Sequence, residues 1–298
     1  MSKSVSKEPI DWNAAFKEIM SGGVIRTIVS VILGFAVGAF FMIISNREFL
    51  QSVGFFFADP LASIRAAGDV VGAGYGALIK GSIYNASAVT FEGAIRPLTE
   101  TLRLAGPLIA AGLGIGLGFR VGLFNIGGTG QLVSGLIWAT FVATRMELPP
   151  VIHFVVAIVA AIVGAALVGA FVGFLKARTG ANEVITTIML NYIIVSFFNF
   201  LLTDNALLQG ATAGGYTKSD PAFETARLPY LLGESYALNL GFVLAIVAVI
   251  VYWWLMERST VGFRLRAVGF NPSAAKTAGI NVERTYILAL ALSAAFVG

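Results

Sequence analysis

The chain contains no cysteine and a single histidine, His153. Without cysteine there is no disulfide framework, iron–sulfur cluster or thiol nucleophile, and one imidazole excludes a histidine-rich metal site. Charge is scarce as well. Only 12% of the 298 residues are charged, against about 25% in an average soluble domain, too few to cover a soluble surface. No Walker motif and no Ser/His/Asp constellation with plausible geometry is present, so a membrane enzyme is disfavoured. The N-terminus lacks the basic start and cleavage site of a secretory signal.

What the chain has in abundance is apolar length. It is 57% hydrophobic with a mean hydropathy of +0.84, and several runs approach the roughly 20 residues that cross a bilayer. The expected fold is all-α, a polytopic transmembrane helix bundle with about six complete spans and a truncated seventh. The spans are expected at 24–44, 104–119, 126–144, 151–175, 184–203 and 238–256, with the last run at 286–298. That run is about half the length needed to span, so the transmembrane domain over 24–298 is expected to be incomplete at its C-terminus. Residues 1–23 read as a cytoplasmic tail, with a short interfacial helix near 12–20. Residues 45–103 mix charges with short apolar pieces and read as an extramembrane segment with short interfacial or re-entrant helices. GxxxG pairs at Gly34/Gly38, Gly112/Gly116 and Gly114/Gly118 predict close helix approach.

Basic residues of short loops mark the cytoplasmic side. With the N-terminus inside, Arg120, Lys176, Arg178, Arg258, Arg264, Arg266, Lys276 and Arg284 all fall inside. The loop after the fifth span holds Asp204, Asp220, Glu224 and Glu234 against Lys218 and Arg227, and falls outside. This pattern accounts for the net charge of +4 without a nucleic-acid partner.

Three places carry candidate chemistry. The first is 112–131, GLGIGLGFRVGLFNIGGTGQ, where an apolar run breaks into polar residues and glycines. Such backbone is tolerated in a membrane where protein or a water-filled cavity surrounds it. Gly127, Gly128 and Gly130 have no GK[ST] ending, so a phosphate loop is excluded and a broken helix on a translocation pathway is the physical alternative. The second is the set of intramembrane polar residues Asn125, Gln131, Thr186, Thr187 and Asn191. They can bind a polar solute or bond one helix to another. Asn182 and Glu183 fit a helix cap with a carboxylate in the first turn. The third is 257–285, where Asn271-Pro272-Ser273 starts a short helix and Gly279 ends it. With Ala274, Ala275 and Ala278 it forms a docking knob, and Ala275→Glu is expected to uncouple transport without preventing insertion. His153 reads as a packed or interfacial side chain. No span carries a central Asp, Glu or Lys, which argues against a gradient-driven pump with a carboxylate coupling site.

At these places the chain resembles bacterial ABC transporter permeases for nucleosides and simple sugars, within the larger group that includes branched-chain amino acid permeases. The segments that carry the resemblance are GFRVGLFNIGGTGQL (118–132), LKARTGANEVITTIMLNY (175–192) and LRAVGFNPSAAKTAGI (265–280). Thr129 departs from the family's usual Glu. The resemblance implies a permease subunit of the bacterial inner membrane that imports solute by alternating access. It implies a second permease subunit, a cytoplasmic ABC ATPase carrying ATP-Mg, and an extracytoplasmic solute-binding lipoprotein as partners, with no cofactor on this chain itself. It places Asn125, Gly127, Gly130, Gln131, Asn182, Glu183, Thr186 and Asn191 near the pathway. It makes the cytoplasmic loop over 257–285 the coupling segment, with Arg266, Gly269, Asn271, Pro272, Ala274, Ala275, Ala278 and Gly279. A gradient-driven transporter or channel that needs no ATPase is the alternative.

Overall fold

A computed structural model of the chain describes residues 23–203, 207–210 and 216–298. The expected cytoplasmic tail lies outside these residues except for Gly23, as do its interfacial helix and Asp204. Eleven α-helices and no strand occur among the described residues. Five helices are long and apolar enough to cross a membrane, and the chain is a multi-pass, all-α membrane protein. It divides into two compact units, the first ending at Ser87 and the second starting at Ala88.

The first unit contains α1 (Gly23–Ser45), α2 (Arg47–Val53) and α3 (Pro60–Ser82). Helix α1 matches the first predicted span. Asn46 caps α2 by accepting from Phe49 N at 3.1 Å, and Asp59 caps α3 by accepting from Ala62 N at 3.1 Å. Tyr75 joins α3 to α1: its hydroxyl donates to Phe35 O at 2.5 Å, with its ring edge-on to Phe35. The 23 residues of α3 correct the expectation of only short helices here. Repeated glycines lower the helix propensity of 68–81, but the Asp59–Pro60 start and the contact with α1 outweigh it.

The second unit holds α4 (Phe91–Arg120), α5 (Gly128–Arg145), α6 (Ile152–Thr179), α7 (Glu183–Leu201), α8 (Leu240–Arg258), α9 (Thr260–Phe270), α10 (Pro272–Thr277) and α11 (Val282–Val297). A short 3-10 turn, Glu224–Ala226, lies between α7 and α8. Helix α4 starts well before the expected 104, because Thr90 caps it through Gly93 N at 3.1 Å and Glu92 sits in the first turn. The charges at 92, 96, 100 and 103, read as loop from sequence, are spaced as one helical face.

Two ends of this unit are distinct. The turn end carries the α4–α5 turn, the α6–α7 connection and the α8–α11 connection. The loop end carries the long 202–239 segment. At the centre, α11 packs most extensively on α6 and then on α4, while α5 packs on α6 and α7. The last apolar run packs in the interior: Ala289, Leu290, Ser293 and Ala294 are fully buried. Helix α5, the expected third span, is absent from the five long apolar helices because its start is polar. Gly130, Gln131 and Ser134 are buried within it. Helices α5 and α11 sit inside, and the longer apolar α4, α6, α7 and α8 turn exposed Leu, Ile, Val and Phe outward. In lipid such packing depends on close contact and internal hydrogen bonds rather than on apolar burial. Gly173 of α6 illustrates the contact: a Cβ there would lie 2.6 Å from Ile287 Cα of α11.

Candidate functional site

The polar break begins where α4 ends. Gly122 has φ +74, and Leu123 N returns to Gly118 O at 3.0 Å. A left-handed residue after the last turn is the usual helix stop, and glycine adopts it without steric cost. The chain then runs without regular structure to the start of α5 at Gly128. Gly127 offers no side chain to cap α5, so other residues satisfy the exposed backbone groups.

Asn125 does part of this, in a pair with Gln131. They are 3% and 0% exposed and form a reciprocal amide pair: Asn125 Nδ2 donates to Gln131 Oε1 and Gln131 Nε2 to Asn125 Oδ1, both at 2.9 Å. Asn125 Nδ2 also donates to Ser293 Oγ at 2.8 Å, and its Oδ1 accepts from Gly127 N at 3.0 Å. The Ser293 hydroxyl donates onward to Gly114 O at 2.6 Å. One network thus joins α4, the break, α5 and α11. Ser293 was not recognisable from sequence, because one serine in an apolar run carries no signal. Within the Gly114/Gly118 pair, Gly114 faces α11, and a Cβ on Gly118 would meet Leu123 O at 3.0 Å. Gly112 faces no neighbour within 4 Å.

Asn191 of α7 closes the other side. Its Oδ1 accepts from Gly130 N at 2.7 Å, and its Nδ2 donates to Ile126 O at 3.0 Å. One side chain therefore satisfies a donor at the start of α5 and an acceptor in the break. Gly130 leaves room for it: a Cβ there would lie 2.8 Å from Asn191 Oδ1. Thr187 is buried, with its hydroxyl on Val184 O at 3.1 Å. Thr186 is half-buried and bonds Asn182 O at 2.9 Å.

Asn182 is the expected cap of α7, accepting from Val184 N at 2.9 Å. Glu183, in the first turn, pairs with Lys176 Nζ of α6 at 2.5 Å. Glu183 therefore links α6 and α7. The structure gathers Asn125, Gly127, Gly130, Gln131 and Asn191 in one cluster, with Asn182, Glu183 and Thr186 nearer the turn end. The amide groups of Asn125 and Asn191 and the carboxylate of Glu183 are engaged inside the protein.

The 257–285 segment contains two helices rather than one. Ser259 caps α9 through Gly262 N at 2.9 Å. Asn271 caps α10 through Ala274 N at 3.0 Å, and Pro272 is its first residue, as the sequence predicts. Gly279, at φ +85, follows α10. Ala275 is buried beside Leu265, Val268 and Leu290, whereas Pro272, Ala274, Lys276 and Ala278 are exposed. Gly269 lies against the backbone of Arg120, and a Cβ there would also reach within 3.0 Å of Val121 Cα. Arg266 turns inward, 3.7 Å from Glu257 Oε2, while Glu257 Oε1 holds Arg120 at 2.7 Å. The segment is thus seated on the turn that leads into Asn125.

At the loop end, Arg145 reaches Asp220 at 3.1 Å and the carbonyls of Leu207 and Gln209. His153 is fully buried and packed beside Phe223. A carbonyl only accepts, so in the neutral ring Nε2 donates to Val142 O at 3.0 Å and Nδ1 accepts the Thr225 hydroxyl at 2.7 Å. His153 is a packed side chain, as expected.

Comparison with known proteins identifies relatives of this chain. The guanosine ABC transporter permease protein NupP of Bacillus subtilis (strain 168) is 34% identical over 91% of this chain and 68% of its own length. The nucleoside ABC transporter permease protein NupB of Lactococcus lactis subsp. cremoris is 35% identical over 69% of this chain and 58% of its own length. The glucose ABC transporter permease protein TsgB13 of Haloferax volcanii is 35% identical over 67% of this chain and 54% of its own length. The chain thus spans between about half and two thirds of these relatives. No solved structure matches it significantly. The family described as branched-chain amino acid transport system / permease component matches residues 98–298, more than half of the chain and within the second unit. The chain belongs to that permease family.

Proposed function

We propose that the chain is a membrane permease subunit of an ATP-binding-cassette importer, moving nucleosides or related simple sugars by alternating access. The relatives named for guanosine, nucleoside and glucose support this solute class. In this reading a second permease subunit pairs with the chain. A cytoplasmic ATPase with ATP-Mg docks at the exposed face of α10, and an extracytoplasmic lipoprotein delivers the solute. The turn end is cytoplasmic, in keeping with its basic connections, and the N-terminus lies on the same side.

The observation that carries the proposal is the seat of Gly269 on the Arg120 backbone. A displacement of α9 and α10 is passed through that contact to the α4–α5 turn, and from there to Asn125. The pathway runs beside the break, with Asn182, Glu183 and Thr186 toward its cytoplasmic mouth and Asn125, Gly127, Gly130, Gln131 and Asn191 deeper. In one state the amides bond one another, and on opening they exchange some of those bonds for the solute or water. Exchange among bonded states avoids leaving polar groups bare in lipid.

The test is uptake by cells that carry the transporter, with and without the gene for this chain. Labelled guanosine or a simple sugar should accumulate only with the chain present, and unlabelled nucleosides should compete more strongly than amino acids. Uptake unaffected by removing the chain would overturn the reading.

A further inference from the structure

We propose that the cleft between α9 and α11 is a binding site for the phosphate group of an anionic glycerophospholipid in the leaflet at the turn end. The inference is independent of which solute the chain moves. The cleft has a volume of about 390 Å³ and two helical faces line it. Helix α9 contributes Val261 and Arg264, three residues apart. Helix α11 contributes Arg284 and Leu288, four apart. Residues at these spacings share one side of a helix, so both arginines reach the same cavity. Ile280 forms part of the wall between them.

The charge in this cleft is unbalanced. Arg120 and Arg266, at the same end, both lie on Glu257. Arg264 and Arg284 form no ion pair among the described residues, and no acidic residue lines the cavity. A planar guanidinium offers paired N–H donors that match phosphate oxygens, and two of them on one cavity make an anion site. The lining also changes character with depth. Arg284 lies in the first turn of α11, whereas Leu288, one turn further into the helix, is partly exposed. A charged head above an apolar wall suits a phosphate with an acyl chain beneath it and does not suit a free ion.

The level in the membrane agrees. Helix α8 ends at Arg258, whose guanidinium lies 5.6 Å from the Trp253 ring. Trp253 and Trp254 are exposed, and such tryptophans favour the headgroup region. Val261 follows within one turn of that end. Basic pockets on the cytoplasmic side, at the ends of membrane helices, bind anionic headgroups.

The test is retention of phosphatidylglycerol by the purified transporter. Protein in mixed phosphatidylcholine–phosphatidylglycerol nanodiscs would be released and its bound lipid counted by native mass spectrometry. The wild type should retain phosphatidylglycerol over phosphatidylcholine. Arg264→Gln or Arg284→Gln should each weaken the preference about fivefold, and the pair about 25-fold, from the usual contribution of one basic residue at a membrane surface. Arg264→Lys with Arg284→Lys preserves the charge and should keep most of the preference, which guards against a folding defect in the Gln variants. Leu288→Trp fills the apolar part and should weaken lipid retention without removing charge. Equal retention by wild type and the double Gln variant would overturn the proposal. So would displacement of the lipid by inorganic phosphate alone, which would identify a free-anion site. Cleft arginines shielded by the ATPase subunit, with no lipid preference, would overturn it in favour of a protein contact.

Discussion

Asn125 shows how much one side chain holds at the break. It takes part in four hydrogen bonds, to Gln131 twice, to Ser293 and to Gly127. Asn125→Ala removes them together and leaves the Gln131 amide and Gly127 N–H buried without partners. A buried group left unsatisfied costs about 1–3 kcal/mol, so thermal unfolding in detergent should shift clearly downward. A change within the scatter of wild-type melts would mean that the network does not hold the break. Ala275 gives the opposite lesson about the docking knob. From the sequence it belongs with Ala274 and Ala278 to the docking knob, where Ala275→Glu uncouples transport and leaves the protein inserted. Ala275 is 5% exposed and packed in the core, so that substitution buries a carboxylate with no partner. Poor yield of folded protein is now the expected outcome. Lys276→Glu on the exposed side of α10 should leave folding intact and alter only a function that depends on that face. Detergent-extracted yield and size-exclusion profiles of the two variants check the difference.

Helix α11 shows most clearly what the sequence could and could not reveal. Its apolar run is visible in the sequence as the start of a seventh span. Composition does not register that glycines on α6, such as Gly173, let this helix sit close in the interior. Gly173→Leu should push α6 from α11 and destabilise the unit by about 1–3 kcal/mol, the usual cost of overpacking a tight contact. Near-wild-type thermal stability would contradict the placement of α11. The start and stop of α10 were fully legible, because Asn271, Pro272 and Gly279 act locally. The extra helix α9 was not, because its charges resembled an ordinary basic loop. The early start of α4 was missed for the same reason, with Glu92, Arg96, Glu100 and Arg103 read individually rather than as one helical face. Local signals of capping and turning survive in a single sequence. Partners brought together from distant positions, such as Asn125 with Ser293 or Gly130 with Asn191, do not.

For the whole second unit, the consequence is mechanical continuity. The α9–α10 segment rests through Gly269 on the α4–α5 turn, Glu257 ties Arg120 and Arg266 beside it, and the turn leads into the amide network. In the proposed importer, force applied at α10 has a packed route to the polar centre. Gly269→Val places bulk against the Arg120 carbonyl and should separate the segment from the turn. The family, the multi-pass helical architecture and the broken α5 start were all legible in the sequence. The packed route needed coordinates, because it is made of backbone contacts that no residue pattern encodes. The most direct measurement reconstitutes the chain with its transporter partners in proteoliposomes and follows ATP hydrolysis and labelled nucleoside uptake together. The expected result is uptake that requires ATP and the partner subunits, and that falls at least tenfold (about 1.4 kcal/mol in the coupled step) in Gly269→Val while hydrolysis continues. Uptake by this chain alone, without ATP and down an ion gradient, would contradict it.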